Sequence, residues 1–400
     1  MPASPSPKNP HLLTRGISEI IDRKHLEARL KKGERLRIKY GIDPNKPDIH
    51  IGHTVPLKKL REFQDAGHTA VLILGDYTAQ LGDPSDRSEA RKLLSAAETK
   101  KNADSYLAQI FTILDKKKTE VHRNSEWFRK FTLRDVIELL ATTTVNRLLA
   151  HETFAKRLRD SEPLHGQELL YPLMQGYDSV MIKADVELGG MDQKFNVLMG
   201  RELQRAHGMP EQDIILFPYI PGTDGADKMS KSLGNTINLT DAPADMYGKV
   251  MSIPDSVMWK YFELATRLPE KEIETMARQI KAGTLNPRDA KMSLAREIVS
   301  TYHSVKKAEE AELNFIQVFQ QKQRPDEIPL YGIKKTTSLL EVLVGSGLAT
   351  SNTDARQLLK QKSIKVDDEV ATDGSFGIEA SKKGIVIQKG KRHFIRVVKK

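Results

Sequence analysis

The first half of the chain alternates short apolar strands with amphipathic helical stretches, and that rhythm restricts the fold more than any other feature. Leu36 to Tyr40 reads as a strand, and Leu57, Leu60 and Phe63 then mark the apolar stripe of a helix. Ala70 to Leu74 is a continuous apolar strand, and a long polar–apolar helix is expected from Glu89 onward. Strand, helix and strand in this order predict an α/β fold, a parallel sheet covered by helices. The helix-rich stretch Leu133 to Arg157 interrupts the alternation and reads as an insertion. Ala184 to Leu188 and Ile214 to Phe217 resume it as short strands.

A chain of 400 residues is too long for one compact core, so two or three domains are expected. From about Ala242 to Gln323 the pattern is helical throughout. Asn286 and Pro287 make an N-cap and first-turn pair, and Leu294, Ile298 and Tyr302 follow at the spacing of one buried face. Residues 324–335, with Pro325 and Pro329, read as a linker. Beyond them come two short helices, Leu339 to Val344 and Asp354 to Lys360, with Ser351 and Asp354 as a capping box. Short β segments follow at Ile364 to Val366, Ile385 to Ile387 and Phe394 to Val398. Residues 1–10, rich in Pro and Ser, read as a disordered lead-in and not as a secretory signal.

Composition removes several function classes. No run of about 18 apolar residues offers a membrane-spanning helix. The chain has no cysteine, which excludes disulfides, thiolate catalysis and a cysteine-based zinc site, and favours the cytosol. The net charge of +10 is concentrated: from Lys334 to Lys400 there are 14 basic and 7 acidic residues. A basic terminal module points to a polyanionic partner, although a solvated basic surface would look the same.

Two constellations carry chemistry. The first is Gly41-Ile42-Asp43-Pro44 followed by His50-Ile51-Gly52-His53, between a strand and the next helix. A helix N-terminus presents free N–H groups suited to phosphate. Gly52 has no side chain to hold a nucleotide away, and the flanking imidazoles can donate to phosphate oxygens. The second is Lys228-Met229-Ser230-Lys231-Ser232, in a polar stretch opened by Pro221, Gly222 and Gly225. Two lysines three apart on such a loop can close on a polyphosphate. Each string alone is commonly an ordinary turn; together on one α/β scaffold they are not.

These strings resemble the two signature motifs of class I aminoacyl-tRNA synthetases, whose catalytic domain is a Rossmann-like doubly wound sheet. The resemblance implies attack of an amino-acid carboxylate on the α-phosphate of ATP, stabilised by His50, His53, Lys228 and Lys231. Tyr171, Gln175 and Asp178 share one helix face, a polar face that could simply be wet. The string from Tyr171 to Asp178 is, however, similar to the tyrosine-binding helix of the bacterial tyrosyl branch. There Tyr171 and Gln175 would meet the amino group and nearby polar atoms, and Asp178 the phenol.

Other strings fit the same branch. Gly82-Asp83-Pro84-Ser85 resembles the turn whose Asp binds the substrate ammonium, so Asp83 takes that role. In Gly189-Gly190-Met191-Asp192-Gln193 the glycines would approach the nucleotide, Asp192 the ribose and Gln193 the substrate carboxylate. Asp43 would lie near the ammonium and α-phosphate, and Arg87 and Arg91 near pyrophosphate. Leu339 to Val398 resembles a small RNA-binding module of ribosomal-protein type, with Arg356, Lys360, Lys362, Lys365 and Arg392 as phosphate contacts.

The resemblance therefore implies a tyrosine–tRNA ligase in parts. These are a catalytic domain over residues 11–240 with a helical insertion at about 133–168, a helical anticodon-arm domain over 241–323, the linker, and a basic α+β domain over 336–400. Tyrosine, ATP with Mg2+ and tRNA are the implied partners, with a homodimer, a cytoplasmic setting and no protein-bound metal. The alternatives are a tryptophanyl enzyme and a non-catalytic RNA-binding homologue. One departure stands out: Lys39 occupies the position where one branch has a tyrosine that gives the phenol a second hydrogen bond. Asp178 would then read the phenol without that helper, or Tyr40 would substitute. Asn45 stands where some members have a threonine.

Overall fold

The computed structural model describes residues 12–83, 95–230, 233–317, 328–379, 384–390 and 393–399. The catalytic half is built on six strands: β1 (Glu19–Ile21), β2 (Arg37–Ile42), β3 (Thr69–Leu74), β4 (Thr119–Arg123), β5 (Val186–Gly190) and β6 (Asp213–Phe217). Their spatial order is β1-β6-β5-β2-β3-β4. The last five run parallel, the order of a doubly wound nucleotide-binding sheet. β1 pairs antiparallel with β6 and makes the sheet mixed, which differs from the all-parallel expectation. β1 and β4 escaped the reading because neither carries a buried residue, so no apolar run marks them.

The central strands β2, β3, β5 and β6 are almost wholly buried, as strands covered on both faces must be. Helices α1 (Arg23–Lys31), α2 (Thr54–Asp65) and α3 (Ala96–Ile110) follow or connect the first strands. α2 buries Leu57, Leu60 and Phe63, the stripe anticipated from spacing. α3 begins later than Glu89: Ser95 caps it by accepting from the Glu98 amide, and Glu98 answers as a capping box. Residues 84–94 lie outside the described residues.

The insertion is helical, with α4 (Ser125–Phe128), α5 (Leu133–Ala141), α6 (Val145–Leu149) and α7 (Glu152–Arg159), before α8 (Tyr171–Met181) and α9 (Lys194–Ala206). α8 lies tightly against α9 because Gly176 has no side chain; a Cβ there would stand 3.0 Å from the backbone of Met199.

The chain divides into two compact units, residues 1–241 with 252–294 and residues 242–251 with 295–400. The helical stretch is thus shared between them. Its described helices are Pro243–Ser252, Asp255–Ala265, Glu270–Lys281, Pro287–Tyr302 and Val305–Phe315. Asn286 caps Pro287–Tyr302 by accepting from the Arg288 amide at 2.9 Å.

In the C-terminal part, Leu339–Gly345 and Asn352–Lys360 are helices. A five-stranded sheet runs in the order Glu369–Val370, Ile364–Val366, Ile385–Lys389, His393–Lys399, Leu330–Ile333. Residues 330–333, expected as linker, therefore form a strand, parallel to 396–399. The capping box at Ser351 is also only half formed. Ser351 accepts from the Asp354 amide, but the Asp354 carboxylate takes the Thr350 amide instead.

Candidate active site

A cavity of about 610 Å³ opens at the carboxyl ends of β2 and β5, lined by Tyr40 to Asp43 on one side and Leu188 to Gly190 on the other. These neighbouring strands lead outward to opposite halves of the sheet, so the crevice between them is where an open α/β sheet binds ligands. The volume suits a small-molecule site. His50, Gly52, His53, Asp83, Tyr171, Gln175, Asp178, Asp192, Gln193 and Lys228 all line it, although they come from five separate stretches of chain.

Asp43 leaves β2 into this crevice. Its carboxylate accepts from the Tyr171 hydroxyl at 3.0 Å and from Thr78 at 2.9 Å. Burial, with Asp83 as the next contribution, pushes its carboxyl up to about 7. Gly75 makes room for it: a Cβ there would sit 1.9 Å from Asp43 Oδ1. Gln193 donates to Asp83 at 2.7 Å and is itself held by Asn196 at 2.9 Å. Thr78, Gly75 and Asn196 were not anticipated, because single residues of these types carry no spacing signal.

Asp178 is buried on α8. It accepts from the Trp127 indole N–H at 2.9 Å and from Asn124 at 3.5 Å. Burial pushes its carboxyl up to about 7, against the pull of Lys39, Trp127 and Asn124. Lys39 does not enter the cavity. It is buried behind α8, where its ammonium lies 2.8 Å from Glu187 and donates to the Gln175 carbonyl and the Ser179 hydroxyl. Tyr40, the next residue on the strand, points to the opposite face of the sheet from Lys39, and unlike Lys39 it lines the cavity.

At the other end of the site, His50 precedes and His53 ends the 3-10 turn Ile51–His53 that leads into α2, with ring centroids 3.8 Å apart. A Cβ on Gly52 would meet the His50 ring at 3.0 Å. The segment is tied to the lysine-bearing loop's far end, since Ile51 donates to the Ile237 carbonyl at 2.9 Å and Leu239 to that of Ile49. Lys228 reaches across to Asp192 at 3.0 Å, and Ser230 is held by Asn235 at 2.7 Å. Gly190 leaves space for the Asp192 carboxylate, which a Cβ would meet at 2.5 Å. Lys231, Arg87, Arg91 and Arg392 lie outside the described residues.

Arg356, Lys360 and Lys362 are exposed in the C-terminal part, the first two one turn apart on one helix, while Lys365 is half-buried on the adjoining strand. As for metals, Asp22, His25 and Asp213 bring ligand atoms within 4.8 Å of one another, but His25 already pairs with Asp213 at 2.9 Å.

The family described as "tRNA synthetases class I (W and Y)" matches residues 31–320, which leaves tryptophan and tyrosine both open. The "Tyrosine--tRNA ligase SYY-like C-terminal domain" matches residues 320–397. The chain is 49% identical to the tyrosine–tRNA ligase of Moorella thermoacetica, over 96% of this chain and 94% of that one. The chain belongs to the bacterial tyrosine–tRNA ligase family. A second member, from Carboxydothermus hydrogenoformans, is 46% identical over 100% of this chain and 99% of its own. A solved tyrosyl-tRNA synthetase from Archaeoglobus fulgidus, complexed with L-tyrosine, superposes with a TM-score of 0.61 at 24% identity. It covers 76% of this chain and 98% of that one, a likeness of fold alone.

Tyrosine–tRNA ligases are ATP-dependent aminoacyl-tRNA synthetases, and this chain is an enzyme of that class. The tryptophanyl alternative and the non-catalytic alternative therefore fall away. No described helix is long and apolar enough to cross a membrane.

Proposed function

We propose that this cavity binds tyrosine beside Mg-ATP, forms tyrosyl-adenylate with release of pyrophosphate, and passes tyrosine to the 3' end of its tRNA. The observation that carries the reading is one cavity lined by a buried carboxylate, Asp178, together with two imidazoles and a loop lysine. Asp178 accepts the phenol; Asp83, Tyr171 and Gln175 hold the ammonium, with Asp43 behind Tyr171. Gln193 faces the carboxylate and Asp192 the ribose, and Gly52, Gly189 and Gly190 let the nucleotide close on backbone.

The tyrosine carboxylate is already ionised at neutral pH, so no general base is needed. Its oxygen attacks the α-phosphorus, the bond to the bridging oxygen breaks, and pyrophosphate leaves with its Mg2+. His50, His53, Lys228 and Lys231 stabilise the charge on the pentavalent phosphorus and the departing group, with Arg87 and Arg91 beside it. A hydroxyl of the terminal tRNA ribose then attacks the carbonyl carbon, and AMP leaves. Purified chain supplied with ATP, tyrosine and bacterial tRNA should yield tyrosyl-tRNA; uncharged tRNA after prolonged incubation would contradict the reading.

The two raised carboxyls give the pocket a pH dependence. Both folded values, about 7, lie above the ordinary 3.8. These groups therefore lower folding stability as pH rises from about 4 to about 7, with no further loss above. Tyrosine offers a phenol donor and an ammonium, which favour the ionised forms. Its affinity should rise about tenfold or more from pH 6 to pH 8, with proton release at the acid end. Calorimetry in two buffers of different ionisation enthalpy measures this, and a pH-independent affinity would count against the assignment.

Leu133, Ile137 and Leu140 on α5, Val145 on α6 and Leu158 on α7 are exposed apolar residues within the insertion. Exposed apolar residues concentrated in one segment favour association with a second copy, and a homodimer through the insertion is part of the proposal. The enzyme's setting is the cytoplasm, where ATP and tRNA are available.

The C-terminal core is self-contained, running from Ile333 through Leu339, Val342, Leu359, Ile364 and Ile387 to Val397. It should fold alone and bind tRNA phosphates through Arg356, Lys360, Lys362, Lys365 and Arg392. Because Leu330–Ile333 belongs to its sheet, the cut that removes it cleanly falls before residue 328. Ending the chain at residue 323 should leave adenylate formation nearly intact, weaken tRNA binding, and flatten the dependence of the remaining affinity on salt. Equal charging by both forms, measured across a salt series, would make the tail a bystander.

A further inference from the structure

Behind the tyrosine-reading helix lies a buried polar cluster that the reaction does not use directly. Lys39 on β2 and Glu187 on β5 stand opposite each other in the parallel register, both fully buried, with charged atoms 2.8 Å apart. Lys39 also donates to the Gln175 carbonyl at 2.8 Å and the Ser179 hydroxyl at 2.7 Å. Ser179 in turn donates to Glu187 at 3.1 Å, and the Gln212 side-chain amide donates to Glu187 as well. The glycine at position 200 leaves space for this cluster, since a Cβ would stand 2.5 Å from Gln212 Nε2 and 3.2 Å from Glu187 Oε2. A fully dry ion pair rarely contributes to stability; a hydrophobic pair of the same volume commonly does as well. Its retention needs another reason, and its contacts supply one. Gln175 and Ser179 bracket the turn of α8 that carries Asp178.

We propose that Lys39, locked in place by Glu187, is a positioning and specificity-determining residue. It fixes the turn of α8 that presents Gln175 and Asp178, and it counter-charges Asp178 so that the pocket takes a hydrogen bond from a phenol. This rests on the reading that Asp178 meets the phenol. A cation behind the helix does by charge what a second hydrogen-bonding side chain at position 39 would do by contact. Several charged or titratable groups bear on Asp178. Lys39 favours its carboxylate form, whereas Glu187 on β5 disfavours it. Asp43, beyond β2, interacts with it as a like charge, and Tyr171 on α8 also senses it. Trp127 and Asn124 are neutral donors. Removing the lysine and the glutamate together deletes the larger, favourable influence with the smaller, unfavourable one, so Asp178 should ionise at higher pH.

The test is the double variant Lys39→Met with Glu187→Gln, which leaves no unpaired charge in the cluster. ATP–pyrophosphate exchange is measured from pH 6 to pH 9 with tyrosine and with phenylalanine. The expected result is a KM for tyrosine raised about tenfold or more at pH 7 with KM for ATP unmoved. The midpoint of the tyrosine kcat/KM profile should shift to higher pH, activity should recover above pH 8, and the tyrosine-to-phenylalanine ratio should narrow. An unchanged profile and an unchanged tyrosine KM would overturn the proposal. Should the double variant not fold, Ser179→Ala removes one strut of the cluster without touching a charge. It should raise the tyrosine KM several-fold and leave that for ATP alone, and no change in either would equally overturn it. Asp178→Ala, assayed alongside, separates the two readings. Retained tyrosine selectivity there removes the phenol assignment itself, whereas loss there with an unaltered double variant removes only the role of Lys39.

Discussion

Asp178→Ala should lose tyrosine activation by about 10²–10⁴-fold, the largest effect expected of any single substitution in the cavity. The change leaves the incoming phenol without its acceptor and the Trp127 indole N–H without its partner. Each buried donor left unpaired costs about 1–3 kcal/mol. Selectivity should collapse as well. Enzymes of this family prefer tyrosine to phenylalanine by about 10⁵. With Asp178 gone, phenylalanine no longer strands a carboxylate, so the two amino acids should be activated at comparable, low efficiency. ATP–pyrophosphate exchange with both substrates measures this. Selectivity that survives the substitution would mean that another group reads the phenol.

The second large effect concerns the loop. Lys228→Ala or Lys231→Ala should slow adenylate formation by about 10²–10³-fold, as removal of one donor to a developing anion does, while tyrosine affinity hardly changes. Lys228 rests against Asp192, both more than a third exposed. A pair that open to solvent is worth little, so the lysine can leave it for pyrophosphate at small cost. Rapid mixing with direct measurement of adenylate separates rate from affinity. A normal rate with weakened tyrosine binding would place the loop outside the chemistry.

Much of this site is legible in the sequence. His50, Gly52, His53, Lys228 and the trio Tyr171, Gln175 and Asp178 stood out because their chemistry needs fixed short spacings, and all of them line one cavity. The four buried strands were equally plain, since a strand covered on both faces is a run of apolar residues. β1 and β4 were not, because half-buried edge strands carry no such run. Residues 330–333 passed for linker for a related reason: they pair in sequence with the far end of the chain, and Leu330 is exposed. The hidden part of the site is the part that acts through neighbours. Trp127 and Asn124 come from a four-residue helix and its preceding residue, and nothing local links them to Asp178. Gly75 is needed because Asp43, 32 positions earlier, and Thr78 both fold against it. Lys39 stands out as a departure, but its partner Glu187 lies three strands further along the chain and beside it only in the sheet.

The most direct measurement is ATP–pyrophosphate exchange by the purified chain with tyrosine, tryptophan and phenylalanine offered separately. The account predicts rapid exchange with tyrosine and exchange lower by several powers of ten with the other two. Exchange supported equally by tryptophan, or by none of the three, would contradict it.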